Sequence, residues 1–301
     1  MRVTNNMMTS NYQRQIHANA NRLYDVENQL STGKLIHRAS QDPFGATRVM
    51  TFTTEITRYE QYKRNAEDVE GYMDVTDGAL SQVNDQLKRV KELALQANNG
   101  TYSPEDRQQM AEEIENIMES MVVSLNTTIE DKYAFGGQVT DKAPFELIKD
   151  ATGKISVTYH GNDISPQIEI SKGVYVNKSI PGSDLLSPTN GRNIFEAISD
   201  LAVAVRNNDV SEINSISGDV TSFEDTVLMA RGKTGAIQKR MEMTIEKIDS
   251  EIANSTKLLS KYGDTDYSER IIEWKALDGV YQASLQIGSS ILKPSLLDFL
   301  Q

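Results

Sequence analysis

The sequence predicts a mainly α fold. The N- and C-terminal parts of the chain form a long antiparallel helical, coiled-coil rod, with a small β insert in the middle. Three observations predict it: apolar residues at helical spacing near both ends of the 301-residue chain, a helical pattern of about 55 residues in its first half, and strand-like alternation confined to one stretch. Only 38% of the residues are apolar and the mean hydropathy is −0.47, as is usual for long helices that bury one stripe.

The first part of the chain predicts three helices. A helical pattern covers residues 9–30, and Asp42-Pro43 supplies an N-cap and a first-turn proline for a second helix. That helix continues to a stop signal at Asn98-Asn99-Gly100, and Ser103-Pro104 starts the third, which must return antiparallel because the connection is short. The apolar stripe of this third helix fades near Lys132. The second half of the second helix is a heptad repeat, with one position occupied by Ala66, Met73, Leu80, Leu87 and Ala94 and the other by Val69, Thr76, Val83, Val90 and Ala97.

Residues 138–190 differ from the helical stretches, because apolar side chains alternate there and turn-forming residues are frequent. This pattern predicts a small β insert rather than a separate enzyme. The predicted strands contain Ile155/Val157/Tyr159, Ile168/Ile170 and Val174/Val176. Helix resumes at Asn193, a second long helix covers about 211–262, and Asp266 to Glu269 has the capping-box spacing that starts the last helix.

We therefore expect three parts. Residues 1–42 and 264–301 form a terminal helical coiled-coil region for assembly, residues 43–137 and 191–263 form the helical rod, and residues 138–190 form the β-rich insert.

The two terminal stripes predict an assembly interface, since apolar stripes at both ends of a chain need something to cover them. Its residues are Tyr12, Ile16, Leu23, Val26, Leu30, Ile272, Leu285, Ile287, Ile291, Leu296, Leu297 and Leu300. More specifically, we expect Ile16, Leu23 and Leu30 to pack on Leu285, Ile287 and Ile291. Pro294 is expected to end or kink the last helix.

Composition excludes several classes of function. The net charge of −12 argues against binding to nucleic acid, which requires clusters of Lys and Arg. The absence of cysteine excludes disulfides and thiolate metal sites, and no stretch is apolar enough for a membrane span. The N-terminus lacks the apolar core of a signal peptide, so we expect secretion, if any, without a cleaved leader.

Apparent sites in the sequence have simpler interpretations. Gly232-Lys233-Thr234 resembles the end of a phosphate-binding loop, but Val227 occupies the place of the first glycine, and a helix break is favoured instead. His17, His37 and His160 are too scattered to predict a metal site. We therefore predict no catalytic, cofactor or metal site, and a protein that is not an enzyme.

Several segments carry a resemblance to a known family. They are MRVTNNMM, QLSTGKLIHRASQDPFGATRV, KELALQANNGTYSPEDRQQMAEEI, YAFGGQVTDKAPF and SLLDFL. The chain resembles the bacterial flagellin superfamily and, within it, the FlgL family of hook–filament junction proteins. Tyr133 to Gly137, followed by Ala143-Pro144-Phe145, is similar to the FlgL family rather than to flagellin itself.

The resemblance implies a structural protein. It would polymerise as a ring or stack at the distal end of the hook, as an adaptor between a FlgK-like junction protein and flagellin. It implies export by the flagellar type III system with a FlgN-like chaperone, and an extracellular location in the flagellum, without nucleic acid or membrane partners. The alternative is flagellin, the bulk filament subunit.

Overall fold

The computed structural model describes residues 5–99, 102–149, 155–186 and 192–291, and the side chains of these residues except for 5, 6, 290 and 291. Helices dominate this part of the chain. They are α1 (Asn5–Thr32), α2 (Pro43–Ala97), α3 (Pro104–Leu125), α4 (Ile194–Asn207), α5 (Val210–Gly263) and α6 (Tyr267–Ile291).

Among the described residues between α3 and α4, the strands form three antiparallel hairpins. They are β1 (Thr128–Ile129) with β2 (Lys132–Tyr133), β3 (Phe145–Lys149) with β4 (Ile155–Tyr159), and β5 (Gln167–Ser171) with β6 (Val174–Asn177). The predicted fold class, mainly α with long helices and a small β insert, is confirmed. The heptad of α2 is confirmed as well, since all ten of its residues are at most 1% exposed.

Two local predictions were wrong. The helix expected to reach Lys132 ends at Leu125, because the side chain of the next residue, Asn126, bonds to the backbone of Phe145. Its Nδ2 donates to the carbonyl of Phe145 at 2.8 Å, and its Oδ1 accepts from the Phe145 amide at 3.1 Å, so that the start of β3 is fixed beside the end of α3. The break expected at Gly232 does not form, and α5 continues through it.

The chain divides into two compact units. The terminal unit contains residues up to Arg58 and those from Glu251 onward, and the central unit is Tyr59–Ser250. In the terminal unit α1 packs against α6, and in the central unit α3 packs against α4. The predicted separation of an assembly region from a rod at residues 42 and 264 stays a prediction.

Ion pairs show that α2 and α5 run antiparallel within the central unit. Lys63 lies 2.7 Å from Asp249, and Lys91 lies 3.3 Å from Glu224, near the other end of the pair. Two hydrophobic cores form in this unit. The larger core joins α2, α3, α4, the first part of α5 and the β3–β4 hairpin. The smaller core joins α2 and α5 to the β5–β6 hairpin.

The Phe-Gly-Gly segment that follows β2 has a structural explanation. Phe135 is fully buried, and its carbonyl accepts hydrogen bonds from the Tyr159 hydroxyl and the Gly182 amide, both at 2.9 Å. A Cβ at Gly136 would collide with the Val139 carbonyl, and Gly137 has a φ of +68°. Only glycine satisfies both the close approach and the left-handed conformation without strain.

Candidate assembly interface

The predicted stripe of α1 lies on the less exposed side of the helix. Val26 is buried at 6% exposure, and Tyr12, Ile16, Leu23 and Leu30 are half-buried. The helix ends at Thr32 because Gly33 adopts a φ of +69°. The five residues share one side of α1 because they recur at intervals of three, four and seven.

The less exposed side of α6 differs from the one that the sequence suggested. Its residues are Trp274, Leu277, Tyr281, Ser284 and Gly288, spaced alternately by three and four. Gly288 faces Tyr12 of α1 so closely that a Cβ at this position would collide with the phenol ring. The two helices, α1 and α6, therefore approach each other most closely where the Tyr12 ring lies over Gly288.

The C-terminal residues of the predicted interface divide into three groups. Ile272, Leu285 and Ile287 are 71%, 46% and 56% exposed, so Leu285 and Ile287 do not form the expected buried seam with Ile16, Leu23 and Leu30 inside the chain. The side of α6 that carries Trp274 and Tyr281 is half-buried instead. Ile291 ends α6. The residues Leu296, Leu297 and Leu300, and the expected kink at Pro294, lie outside the described residues.

Exposed apolar side chains occur on both terminal helices. Met7, Met8 and Tyr24 of α1 are 57%, 46% and 62% exposed. On α6 the corresponding residues are Ile271, Ile272, Val280, Leu285 and Ile287. Exposed apolar side chains grouped on one helix pair can mark an interaction site. Whether these residues form the assembly interface stays a prediction.

The segment between α1 and α2 is tied to the end of α5. Leu35 donates its amide to the Gly263 carbonyl at 2.8 Å, and Thr265 donates to the Gly33 carbonyl at 2.9 Å. The Lys34 ammonium lies 2.7 Å from the Asp264 carboxylate. The hydrogen bond from Lys34 makes the largest contribution to lowering the pKa of Asp264 below its ordinary value, and a hydrogen bond with Ser260 makes the second largest. Sequence reasoning missed this pair, because the two residues are 230 positions apart.

An aromatic cluster around Arg48 was also missed. The guanidinium lies 4.5 Å from the ring centre of Phe44 and 4.6 Å from that of Tyr262. Phe52 stacks on Tyr262 with ring centres 6.1 Å apart. These contacts join the first turns of α2 to the last turn of α5 in the terminal unit. The sequence signal was an arginine flanked at four-residue spacing by two phenylalanines.

The described residues contain no group of three or more His, Cys, Asp and Glu side chains arranged to hold a metal ion. Within the same residues, none of the helices has the length and apolar character required to span a membrane.

Sequence comparison shows which known proteins the chain resembles. Residues 3–140 match the family model of the bacterial flagellin N-terminal helical region. The chain is 25% identical over 280 residues to flagellar hook-associated protein 3 of Salmonella typhimurium strain LT2, covering 85% of this chain and 86% of that protein. It is also 23% identical over 250 residues to the flagellar filament 31.3 kDa core protein of Treponema maltophilum, covering 83% and 81%.

Solved structures with a similar fold include hook-associated proteins. Flagellar hook associated protein-3 from Legionella pneumophila has a TM-score of 0.64 at 13% identity and covers 71% of this chain and 98% of that structure. FlgL from Bacillus cereus has a TM-score of 0.59 at 20% identity and covers 70% and 99%. The resemblance to the flagellin superfamily and to FlgL-type proteins, stated from sequence motifs, is thus confirmed.

Proposed function

We propose that this chain is a structural subunit of a bacterial flagellum that assembles at the distal end of the hook and joins hook to filament. The observation that carries the proposal is the apolar surface left exposed on α6, together with Met7, Met8 and Tyr24 of α1. A monomer that exposes such a surface on paired terminal helices is suited to packing against further copies. The FlgL-type fold favours the junction over other positions in the flagellum.

Three finer points belong to the same proposal. The ring or stack would contact a FlgK-like junction protein on one side and flagellin on the other. The chain would be exported by the flagellar type III system with a FlgN-like chaperone, and would act outside the cell. It would have no catalytic role, in keeping with a family of structural proteins.

The second candidate is flagellin, the bulk filament subunit. The observation that favours it is that filament proteins match the chain about as well as hook-associated proteins do. A flagellin of Halalkalibacterium halodurans is 24% identical over 94% of the chain.

The two candidates differ in where the protein lies on an intact flagellum. Gold-labelled antibodies against this chain should mark one narrow band where hook meets filament, and cells lacking the gene should show none. Label along the whole filament would replace the junction proposal by the flagellin one.

A variant on α6 tests the assembly surface itself. Leu285→Asp replaces an exposed apolar side chain of α6 with a carboxylate and should prevent assembly, because a charge buried between subunits without a partner is strongly unfavourable. The far-UV circular dichroism of the monomer should not change, since Leu285 is 46% exposed. Gln286→Asp adds the same charge at the neighbouring exposed position and is the matched control. Normal assembly of Leu285→Asp would exclude Leu285 from the interface.

A further inference from the structure

A cleft in the central unit has no role in the proposed function. Its volume is about 450 Å³, within the usual range for sites that bind small molecules. Glu67, Asp68 and Gly71 of α2 line one side of it, and Ile129 of β1 lines another. Residues next to β6 complete the lining. All of these residues belong to the central unit, so the cleft does not depend on the chain's place in the flagellum.

Contacts within the chain hold part of the lining in place. Tyr72 is 7% exposed, and its hydroxyl donates to the Tyr133 carbonyl at 3.1 Å. The Lys178 ammonium lies 5.4 Å from the centre of the Tyr72 ring. Burial raises the pKa of the Tyr72 phenol above its ordinary value, so the ring stays uncharged at neutral pH. The cleft is therefore formed without a ligand, as small-molecule sites usually are.

A buried hydroxyl in the lining lacks a hydrogen bond. Ser179 is 4% exposed, and its Oγ has no hydrogen-bond partner among the described residues. The Ser179 carbonyl, by contrast, accepts from the Ser165 hydroxyl at 2.7 Å. A buried polar atom without a partner is destabilising, and a bound polar ligand can supply the missing hydrogen bond. This hydroxyl therefore favours a ligand that carries hydrogen-bonding groups.

Charged side chains of both signs line the cleft. Its carboxylates come from Glu67 and Asp68 of α2 and from Glu130 of the turn between β1 and β2. Its ammonium groups come from Lys132 of β2 and from Lys178, which follows β6. In the described part of the chain, none of these five groups has an oppositely charged partner within 4 Å. The cleft therefore keeps opposite charges apart instead of pairing them.

This arrangement selects the charge of a ligand. A simple anion is attracted by the two lysines but repelled by the three carboxylates, and a simple cation meets the reverse. A ligand with one ammonium and one carboxylate is attracted by both sets. The half-buried Ile129 and Pro166 provide apolar contact for the carbon skeleton between the two charges.

A glycine keeps the cleft open on the side of α2. A Cβ at Gly71 would meet nothing within 4 Å, so packing within the chain does not require glycine there. Glycine is the weakest helix former after proline, so its presence inside α2 lowers the stability of the helix. A larger side chain at this position would occupy space in the cleft.

We propose that the cleft binds a small zwitterion of the class of free α-amino acids and dipeptides. The ammonium of the ligand lies beside the carboxylates of Glu67 and Asp68. The carboxylate of the ligand lies beside the ammonium groups of Lys132 and Lys178.

Ligand titration followed by NMR tests the site. The full chain, isotopically labelled at its isoleucine methyl groups, is titrated with each standard L-amino acid and with glycyl-leucine up to millimolar concentration. At least one probe should shift the Ile129 signal in a saturable way, while the signal of Ile198, buried in α4, should not move. No saturable shift of the Ile129 signal with any of these probes would overturn the proposal.

Derivatives of the tightest probe test whether both charges are recognised. The N-acetyl form lacks the ammonium and the amide form lacks the carboxylate, so each should bind about tenfold or more weakly than the parent compound. If either derivative bound as tightly as the parent compound, the cleft would not recognise a zwitterion.

Two glycine variants locate the bound ligand. Gly71→Leu places a side chain in the cleft and should abolish the shift of the Ile129 signal. Gly78→Leu, about two turns further along α2, has equally open surroundings outside the cleft and should bind like the wild type. Both variants should fold, because leucine is a better helix former than glycine, and circular dichroism checks this. Equal binding by the two variants would place the ligand elsewhere and overturn the proposal.

A lysine variant gives a second test that leaves the packing unchanged. Lys132 is exposed, and Lys132→Gln should weaken binding about two- to fivefold, the range of an exposed ion pair. Lys172→Gln, in the turn between β5 and β6 and outside the cleft, is the matched control and should not change the affinity. Equal affinity of Lys132→Gln and the wild type would overturn the proposed position of the ligand carboxylate.

Discussion

The terminal and central units are built from the same kind of helix, yet they differ in how completely the helices bury their apolar stripes. In the central unit the heptad positions of α2 are at most 1% exposed. In the described part of the terminal unit, Val26 is the one large aliphatic side chain that is fully buried, while Leu285 and Ile272 remain exposed.

This difference shows what helical periodicity can and cannot reveal. The pattern indicates which side of a helix is apolar, but the number of neighbouring helices determines how much of that side is covered. Helices of the larger core have several neighbours, so their stripes are buried inside the chain. In the terminal unit α1 and α6 pack on each other, and several large apolar side chains of both helices remain exposed.

The largest loss of stability that would test this difference between the units is expected for Phe195→Ala in the central unit. Phe195 of α4 is fully buried, and its ring centre lies 5.9 Å from that of Phe145. Removing a buried phenyl ring leaves a cavity, so the free energy of unfolding should fall by about 3–5 kcal/mol. Urea denaturation followed by circular dichroism measures this change.

Phe44→Ala is the matched control from the terminal unit. Phe44 is 69% exposed, and its ring contacts the Arg48 guanidinium. Its loss should cost less than about 1 kcal/mol, the usual strength of an exposed cation–π contact. If both variants lost the same stability, the contrast in burial between the units would be wrong.

The accuracy of the sequence predictions followed the same contrast. The bounds of α2 and the heptad of its second half were predicted well, because capping residues and periodicity are local signals. The side of α6 that faces α1 was not, because it depends on Tyr12 fitting over Gly288, a contact between residues at opposite ends of the chain. The end of α3 was misplaced for a similar reason, since Asn126 bonds to the backbone of Phe145.

An intermediate effect is expected for Gly288→Ala, which tests the closest contact of the terminal unit. A methyl group at this position collides with the Tyr12 ring, so the α1–α6 pair should lose about 1–3 kcal/mol, as in other overpacked contacts. Amides of α1 and α6 should then exchange faster with solvent, while those of α3 and α4 should not change.

Gly279→Ala, on the same helix, should have the opposite effect on stability. A Cβ there meets nothing within 4 Å, so alanine should stabilise α6 by about 0.5–1 kcal/mol through its higher helix propensity. Hydrogen exchange should therefore move in opposite directions in the two variants. Faster exchange in both would mean that α6 tolerates no substitution, and the specific contact between Tyr12 and Gly288 would lose its support.

The smallest effect is expected at the Lys34–Asp264 pair, whose side chains are 59% and 42% exposed. Its hydrogen bond lowers the pKa of Asp264 in the folded protein below the ordinary value of 3.8. The stabilisation is therefore fully present above that value and is lost as the pH falls through the lower folded pKa. Solvent screening limits it, so Lys34→Ala should cost only about 0.2–1 kcal/mol at neutral pH and low salt.

Titration of the Asp264 carboxyl by NMR measures this pair directly. Lys34→Ala should raise the pKa of Asp264 toward 3.8, whereas Lys34→Arg, which keeps the charge, should leave it lowered. The stability difference between wild type and Lys34→Ala should vanish at a pH where Asp264 is protonated, and should shrink in high salt. A pKa that does not respond to Lys34→Ala would mean that the hydrogen bond with Ser260, rather than the ion pair, lowers it.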